Sequence, residues 1–406
     1  MGCPACHEAW PKLNDFGELY RDRGYRVGTA DDDMFDRLLD YVPISFRTTV
    51  AYQFQSLTNQ AIDGGAGSRT INSGGVPMPS ADLLFGTTLS EHVSVFAVAT
   101  GFGNDGQVSL ESAWGRINSI GTSWLNLKLG KLELDLPVSE HRSFTLTTPF
   151  LIYHFHPTGS VNGFAMGDNQ LGFELMGHGE GPGLRYALSL SSGQSIGSAT
   201  AFSTPVVYGH VTYTYLPRSR WFTRIRLGAV GDIGWWPTAF ATLTPMSGMP
   251  ANVPNTGTEQ KSFSHIGGEL QATLGPLARP FAITAVWMYG REDKALIANG
   301  TRDGTFFGGY VEGDYTPLLN FTAFFRWDRV DTLDQAQPDP TPANSNNQEA
   351  FTLGARYAVW LSAWGSLIAH VEASTQNFEN AGASTVVTTP LPVRTTTVLA
   401  GLDFAL

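Results

Sequence analysis

The chain has 406 residues, a formal net charge of −11, 45 glycines, 12% aromatic residues and 15% charged ones. This acidic balance excludes a nucleic-acid partner, because phosphate recognition needs a basic surface. A mean hydropathy of −0.08, with no apolar run near the roughly 18 residues of a spanning helix, excludes a helical membrane protein. The length exceeds most single soluble cores, and many glycines and aromatics beside few charges point to one large β architecture of the membrane-barrel kind.

The first motif is Cys3-Pro4-Ala5-Cys6-His7. In a Cys-x-x-Cys-His run the two thiols are spaced to form thioethers with the vinyl groups of one haem, and the adjacent imidazole supplies an axial iron ligand. Cys3 and Cys6 are therefore candidate covalent attachments for one haem c, and His7 is its candidate proximal ligand. Two plainer readings compete. A thiol redox pair would open a helix in a βαβ unit, whereas the residues after this motif read as loop and helix leading into a long β region. A zinc ribbon needs a second cysteine pair, and the chain has only these two cysteines. Haem attachment and barrel insertion both take place outside the cytoplasm, so an export signal is expected, with a coding start upstream of Met1.

A short helix is predicted over 13–23, with Asn14 or Asp15 as cap, Phe16, Leu19 and Tyr20 on one face and Gly24 at its end. A second is predicted from Asp31 or Asp32 through Met34, Phe35, Leu38 and Leu39. Residues 1–40 then form a monohaem cytochrome c segment, too small to bury a core without its cofactor or a surrounding wall.

Residues 41–406 read as an all-β barrel. From 41 onward the period becomes two: Ile44, Phe46, Thr48, Val50, Tyr52 and Phe54 alternate with Ser45, Arg47, Thr49, Ala51, Gln53 and Gln55, setting a lipid-compatible face against a polar one. The pattern recurs over 82–90, 92–100, 108–117, 123–131, 170–177, 183–190, 206–216, 221–233, 262–274, 281–291, 305–315, 319–330, 349–359, 366–376 and 395–406, which with the first makes about sixteen strands. Tight turns such as Gly179-Glu180-Gly181-Pro182 alternate with long polar loops over 56–81, 237–261 and 331–348, the arrangement of an outer-membrane barrel with both termini periplasmic. Trp124, Trp221, Trp360 and Trp364 fall at predicted periplasmic ends and Trp235 and Trp236 at an extracellular one, as aromatic girdles do.

Parity then assigns a polar lumen. Arg47, Arg185, Arg224, Arg226, Arg326 and Arg356 face inward with Glu174, Glu269, Glu312, Asp314, Asp328 and Glu372, and with His210, His265 and His370. Such charges ordinarily solvate a pore or pair with one another, so no catalytic role is assigned to them. The third long loop, about 132–169, is unusual for its apolar runs Phe144-Thr145-Leu146 and Pro149 to Phe155. Apolar sequence of this kind is expected to fold into the lumen and pack on something buried. It carries His154 and His156, whose i, i+2 spacing aims both to one side of an extended chain. These two, together with Met34 on the apolar face of the second helix, are the candidate distal haem ligands.

Cys3-x-x-Cys6-His7 with Trp10-Pro11-x-Leu13-Asn14-x-Phe16-Gly17, Tyr20-Arg21 and Gly24-Tyr25 resembles the N-terminal signature of fused monohaem cytochrome–porins, which include iron oxidases. Leu129-Gly130-Lys131-Leu132 and Asp135-Leu136-Pro137 are also porin-like. The resemblance implies a small cytochrome segment occupying a roughly sixteen-stranded outer-membrane barrel. It implies partners among outer-membrane lipid, periplasmic or extracellular cytochromes and Fe(II) or other metal ions. The expected function is outer-membrane electron transfer; the alternative is a passive porin for small solutes with an N-terminal plug. A c-type absorbance spectrum separates the two.

Overall fold

A strand that alternates apolar and polar residues has one face for lipid and one for a lumen, and a sheet that closes on itself leaves no unpaired edge in the apolar band. The computed structural model has this form. It describes residues 7–9, 12–13, 15–23, 44–61, 68–76, 81–90, 92–101, 108–179, 182–193, 205–219, 221–238, 240–242, 252–254, 259–275, 281–298, 300–318, 320–334, 347–362, 365–379 and 392–406.

Sixteen antiparallel strands close the barrel. They are β1 Ile44–Ala61; β2, in two pieces, Ser68–Gly75 and Ala81–Ser90; β3 Val93–Gly101; β4 Ser109–Ile117; β5 Asn126–Leu132; β6 Gln170–His178; β7 Leu184–Ser191; and β8 Val206–Tyr215. The second half comprises β9 Phe222–Pro237, β10 Gln260–Leu274, β11 Phe281–Glu292, β12 Gly304–Leu318, β13 Phe321–Asp334, β14 Gln348–Leu361, β15 Ser366–Phe378 and β16 Val393–Ala405. Each strand pairs with the next, and β16 closes on β1 through Val398↔Phe54, Ala400↔Tyr52 and Leu402↔Val50. The two pieces of β2 run along one partner, the first on Gln53–Ala61 and the second on Ile44–Thr48. Much of the loop expected over 56–81 is therefore strand: β1 runs on to Ala61, and Ser68–Gly75 returns beside it. Ser, Thr, Asn and Gly hid that hairpin in the sequence, because none of them marks a lipid face.

The period-two reading of the faces holds. Val50, Tyr52, Leu188, Leu227, Ile266, Leu353 and Val371 are exposed on the outside, while Glu174, Arg226, Glu269, Glu312, Arg326, Asp328 and Glu372 are buried inside. Tight connections lie at one end and longer ones at the other, with the barrel's first and last strands starting and ending at the tight-turn end. Trp124, Trp221 and Trp360 are exposed at that end; Trp364 lies outside the described residues. Trp236 departs from the expected girdle. Strict alternation puts it on the same face as Asp232 and Gly234, so it is buried in the lumen while Ile233 is the residue exposed to the outside.

Of the first forty residues, the structure describes a short hairpin, His7–Ala9 with Lys12–Leu13, and helix α1, Asp15–Asp22. The predicted first helix is thus present and shorter. Cys3, Cys6, the second predicted helix and Met34 lie outside the described residues, and for His7 only the backbone is described.

A cation in the middle of the outer apolar band tests the assignment of faces. Ile266 is 69% exposed near the centre of β10. Ile266→Arg is expected to cost roughly 2–4 kcal/mol in urea-dependent folding into lipid vesicles. An unchanged unfolding midpoint would show that this face does not meet lipid.

Candidate functional site

The lumen is organised by the connection from β5 to β6, residues 133–169, which folds into the barrel instead of projecting from it. Its Pro149 to Phe155 run forms a single turn, α2, Leu151–His154, that leans on β12, β13 and β14. Leu134, Leu136, Phe150, Leu151, Ile152, Tyr153, Phe155, Phe164 and Met166 of this segment pack with inward residues of the wall: Tyr208, Val230, Trp236, Phe263, Met288, Phe306, Tyr310 and Val330. These wall residues all lie in the long-loop half of their strands. Parity predicts a polar lumen with the apolar loop packed inside it; this half is apolar on the β8–β14 side, because the wall has to match the loop that fills it. Ring pairs such as Phe150–Tyr310 (4.4 Å between centroids) and Phe155–Phe306 (4.8 Å) tie the two together.

Polar anchors hold the segment at fixed points. The wholly buried Arg326 guanidinium donates to Asp328 (2.7 Å), to Thr145 Oγ1 (2.8 Å) and to the carbonyls of Thr148 (2.7 Å) and Pro149 (2.9 Å), with its plane 4.1 Å over the Phe150 ring. Glu372 accepts the backbone N–H groups of Leu146 (2.8 Å) and Thr147 (2.9 Å). On the opposite wall Asp135 meets Arg185 at 2.6 Å and His210 at 3.0 Å, while Tyr208 donates to its carbonyl at 2.7 Å. The inward charges are thus paired through the loop as well as with each other.

The tight-turn half of the lumen is charged, and α1 lies in it. Glu18 binds Arg224 at 2.5 Å and Arg226 at 3.4 Å; Asp22 binds Arg185 at 3.1 Å; Arg116 donates to the α1 carbonyls of Arg21, at 3.1 Å, and Asp22. Burial alone would raise the Glu18 pKa, but the charges of Arg226, Arg224, Arg21 and Arg185 outweigh it and hold the group down from 4.5 to about 2.

Three cavities surround α1, of about 70, 100 and 310 Å³. The roomiest is walled by Leu19, Pro182, Leu184 and Leu216, with His178, Arg185 and Arg224 and the α1 carboxylates at its polar edge. Apolar walls and an imidazole suit a haem, so these residues fit the group that the Cys3–His7 motif implies. Among the described residues, no group of three or more His, Cys, Asp or Glu side chains is placed to hold a metal ion directly.

The two loop histidines are near the other end. His154 Nε2 lies 2.7 Å from Glu140, and a methyl group at Gly167 would collide with both. Burial lowers the His154 pKa, but the bond to Glu140 and the charges of Glu140 and Asp168 outweigh it and raise the group. His156 Nδ1 lies 2.8 Å from Glu292, the last residue of β11 at the long-loop end. His210, His265 and His370 are buried against carboxylates. Sequence reasoning missed Arg116, Asp82 and Asp403, which parity places inside, and it missed His178; Arg116 and His178 each follow a glycine, where alternation is hardest to count.

No protein-family model matches the sequence, and no curated protein matches it. Among solved structures the fold is similar to an anion-selective porin from Comamonas acidovorans, at 10% identity over 90% of this chain and 100% of that one, with a TM-score of 0.55. It is also similar to the outer membrane channel DcaP of Acinetobacter baumannii, at 11% identity over 89% and 97% of the chains and a TM-score of 0.54. A third is a loop L8 deletion mutant of OmpT, an outer membrane protein of Vibrio cholerae, at 10% identity over 89% and 99% and a TM-score of 0.53. At such identities the likeness concerns the fold: a porin-like barrel.

These contacts set two expected outcomes. Arg326→Met strands Asp328 without its cation and is expected to destabilise the protein by roughly 3–5 kcal/mol, with much of this recovered in Arg326→Met/Asp328→Leu; equal losses in both variants would deny the pair its role. The depressed Glu18 pKa means that its ion pairs are fully present above pH 4.5 and are lost as pH falls toward about 2. Amide protection of α1, corrected for intrinsic exchange, should drop in that window and show no such drop in Glu18→Gln; a flat wild-type profile would contradict the docking.

Proposed function

We propose that the protein is an outer-membrane electron-transfer protein in which a porin-like barrel holds one c-type haem on its N-terminal segment. The observation that carries this reading is the Cys3-x-x-Cys6-His7 motif, placed in sequence just before a helix whose carboxylates are bound to arginines of the lumen wall. When bound, the haem would supply a one-electron iron couple. Cys3 and Cys6 would hold it covalently and His7 would ligate its iron.

The chain's own residues do the rest. Glu18 and Asp22 dock α1 at the tight-turn, periplasmic end, where a periplasmic cytochrome reaches the segment. The packed 133–169 loop fills the long-loop half on the β8–β14 side with apolar side chains where a solute channel needs water. That filling favours electron exchange over passive solute flow. Fe(II) or an extracellular cytochrome is the donor or acceptor on the outer side. A single haem does not bridge an apolar band about 25 Å tall, so a partner or a substrate that enters the lumen is part of the reading.

The test is covalent haem in the exported, full-length protein. Wild type is expected to show a c-type absorbance spectrum and in-gel peroxidase staining, Cys6→Ser to lose part of its haem to acid-acetone, and Cys3→Ser/Cys6→Ser to lose the stain. Staining that survives in the double variant would remove the attachment site and leave the porin with a plug.

A further inference from the structure

The cavity beside α1 contains a histidine that neither the motif nor the loop explains. His178 is the last residue of β6, and period two from Glu174 and Met176 puts it on the lumen face. It is 8% exposed and sits directly across the β6–β7 pair from Arg185, which holds Asp22 of α1. Its Nδ1 is 2.8 Å from the Gly179 carbonyl. A carbonyl only accepts, so Nδ1 carries a proton, and in the neutral imidazole Nε2 keeps its lone pair. An imidazole whose Nδ1–H is tied to a backbone carbonyl has the tautomer and the fixed ring orientation of a metal-ligating histidine. Nε2 has no hydrogen-bond partner among the described residues, and the side chain lines the roomiest of the three cavities.

That cavity is also within reach of the attachment motif. Backbone pairing places His7 opposite Leu13, so their Cα atoms are about 5 Å apart. Leu13 precedes Glu18 by five residues, a stretch of at most ~18 Å even when extended. Glu18 and Leu19 themselves line the cavity. His154 and His156 instead meet Glu140 and Glu292, the latter at the opposite end of β11 from the turns that surround α1. The wall around His178 is suited as well: Leu19, Pro182, Leu184 and Leu216 present apolar surface, while Arg185 and Arg224 at its polar edge are bound by Asp22, Asp135 and Glu18 and fix α1 beside it.

Resting on the haem reading above, we propose that His178 is the second axial ligand of the haem held by Cys3 and Cys6, making the iron bis-histidine with His7. Imidazole in place of thioether on the second side would lower the reduction potential, and a second protein ligand would leave the iron no open position for oxygen.

The test uses the exported, full-length protein with its haem attached. Wild type is expected to be low-spin in both oxidation states, without the methionine-to-iron charge-transfer band. His178→Ala should keep its covalent haem stain and its heat-modifiable barrel migration on gels, become high-spin when oxidised, and return to low-spin when free imidazole is added. His178→Met should remain low-spin, gain the methionine band and shift its potential upward. Should His178→Ala not fold, His178→Met alone decides. Covalent haem with an unchanged spectrum in the folded variants overturns this proposal and leaves the haem reading standing. A wild type without covalent haem removes both.

Discussion

An apolar segment cannot be left in water at the mouth of a barrel, and most of the interior is arranged by where this one goes. Residues 133–169 carry a run of large apolar side chains between two strands, and the lumen is the one place where their backbone polar groups and their apolar surface are both satisfied. Each of the buried side chains from Phe150 to Phe155 contributes on the order of 1.5–3 kcal/mol when it leaves water. The wall answers in kind: Tyr208, Val230, Phe263, Phe306, Tyr310 and Val330 point inward where a water-filled pore would have polar residues. Arg326 stands at the boundary, with its guanidinium on Asp328 and the loop carbonyls and its plane on Phe150. It is thus held by the charged and the apolar parts together.

This division gives the barrel two tiers. The long-loop half is a packed core inside a sheet, and the tight-turn half is a ring of charges that would repel one another if unpaired. Arg185, Arg224, Arg226 and Arg116 converge there, and the carboxylates and carbonyls of α1, with Asp135 and Glu269, are what meets them. A helix of eight residues is marginal alone in water. It is stable here because the wall supplies its counter-charges, and the wall tolerates its arginines because the helix supplies theirs.

The two tiers hold two different parts of the chain. The packed 133–169 loop fills part of the long-loop half, while the charged tight-turn half holds α1 through Glu18 and Asp22. The cavity bounded by α1, His178 and the leucines lies within the tight-turn half, beside the turns that follow β6 and β8.

Much of this was legible in the sequence. Period-two alternation shows most of the strands and their faces, because one face meets lipid and the other does not. The apolar content of 133–169 alone requires that the loop be buried. Other features needed the tertiary structure. Ser68–Gly75 lacks an apolar face and becomes strand only because β1 offers it a ladder of backbone partners. Trp236 turns inward because register, not aromatic character, decides its side. Loop histidines and strand-end histidines look alike in sequence. The fold of the 133–169 loop gives His154 to Glu140, while the register and closure of the barrel give His156 to Glu292 and bring His178 beside α1, neighbours that are far apart in the chain.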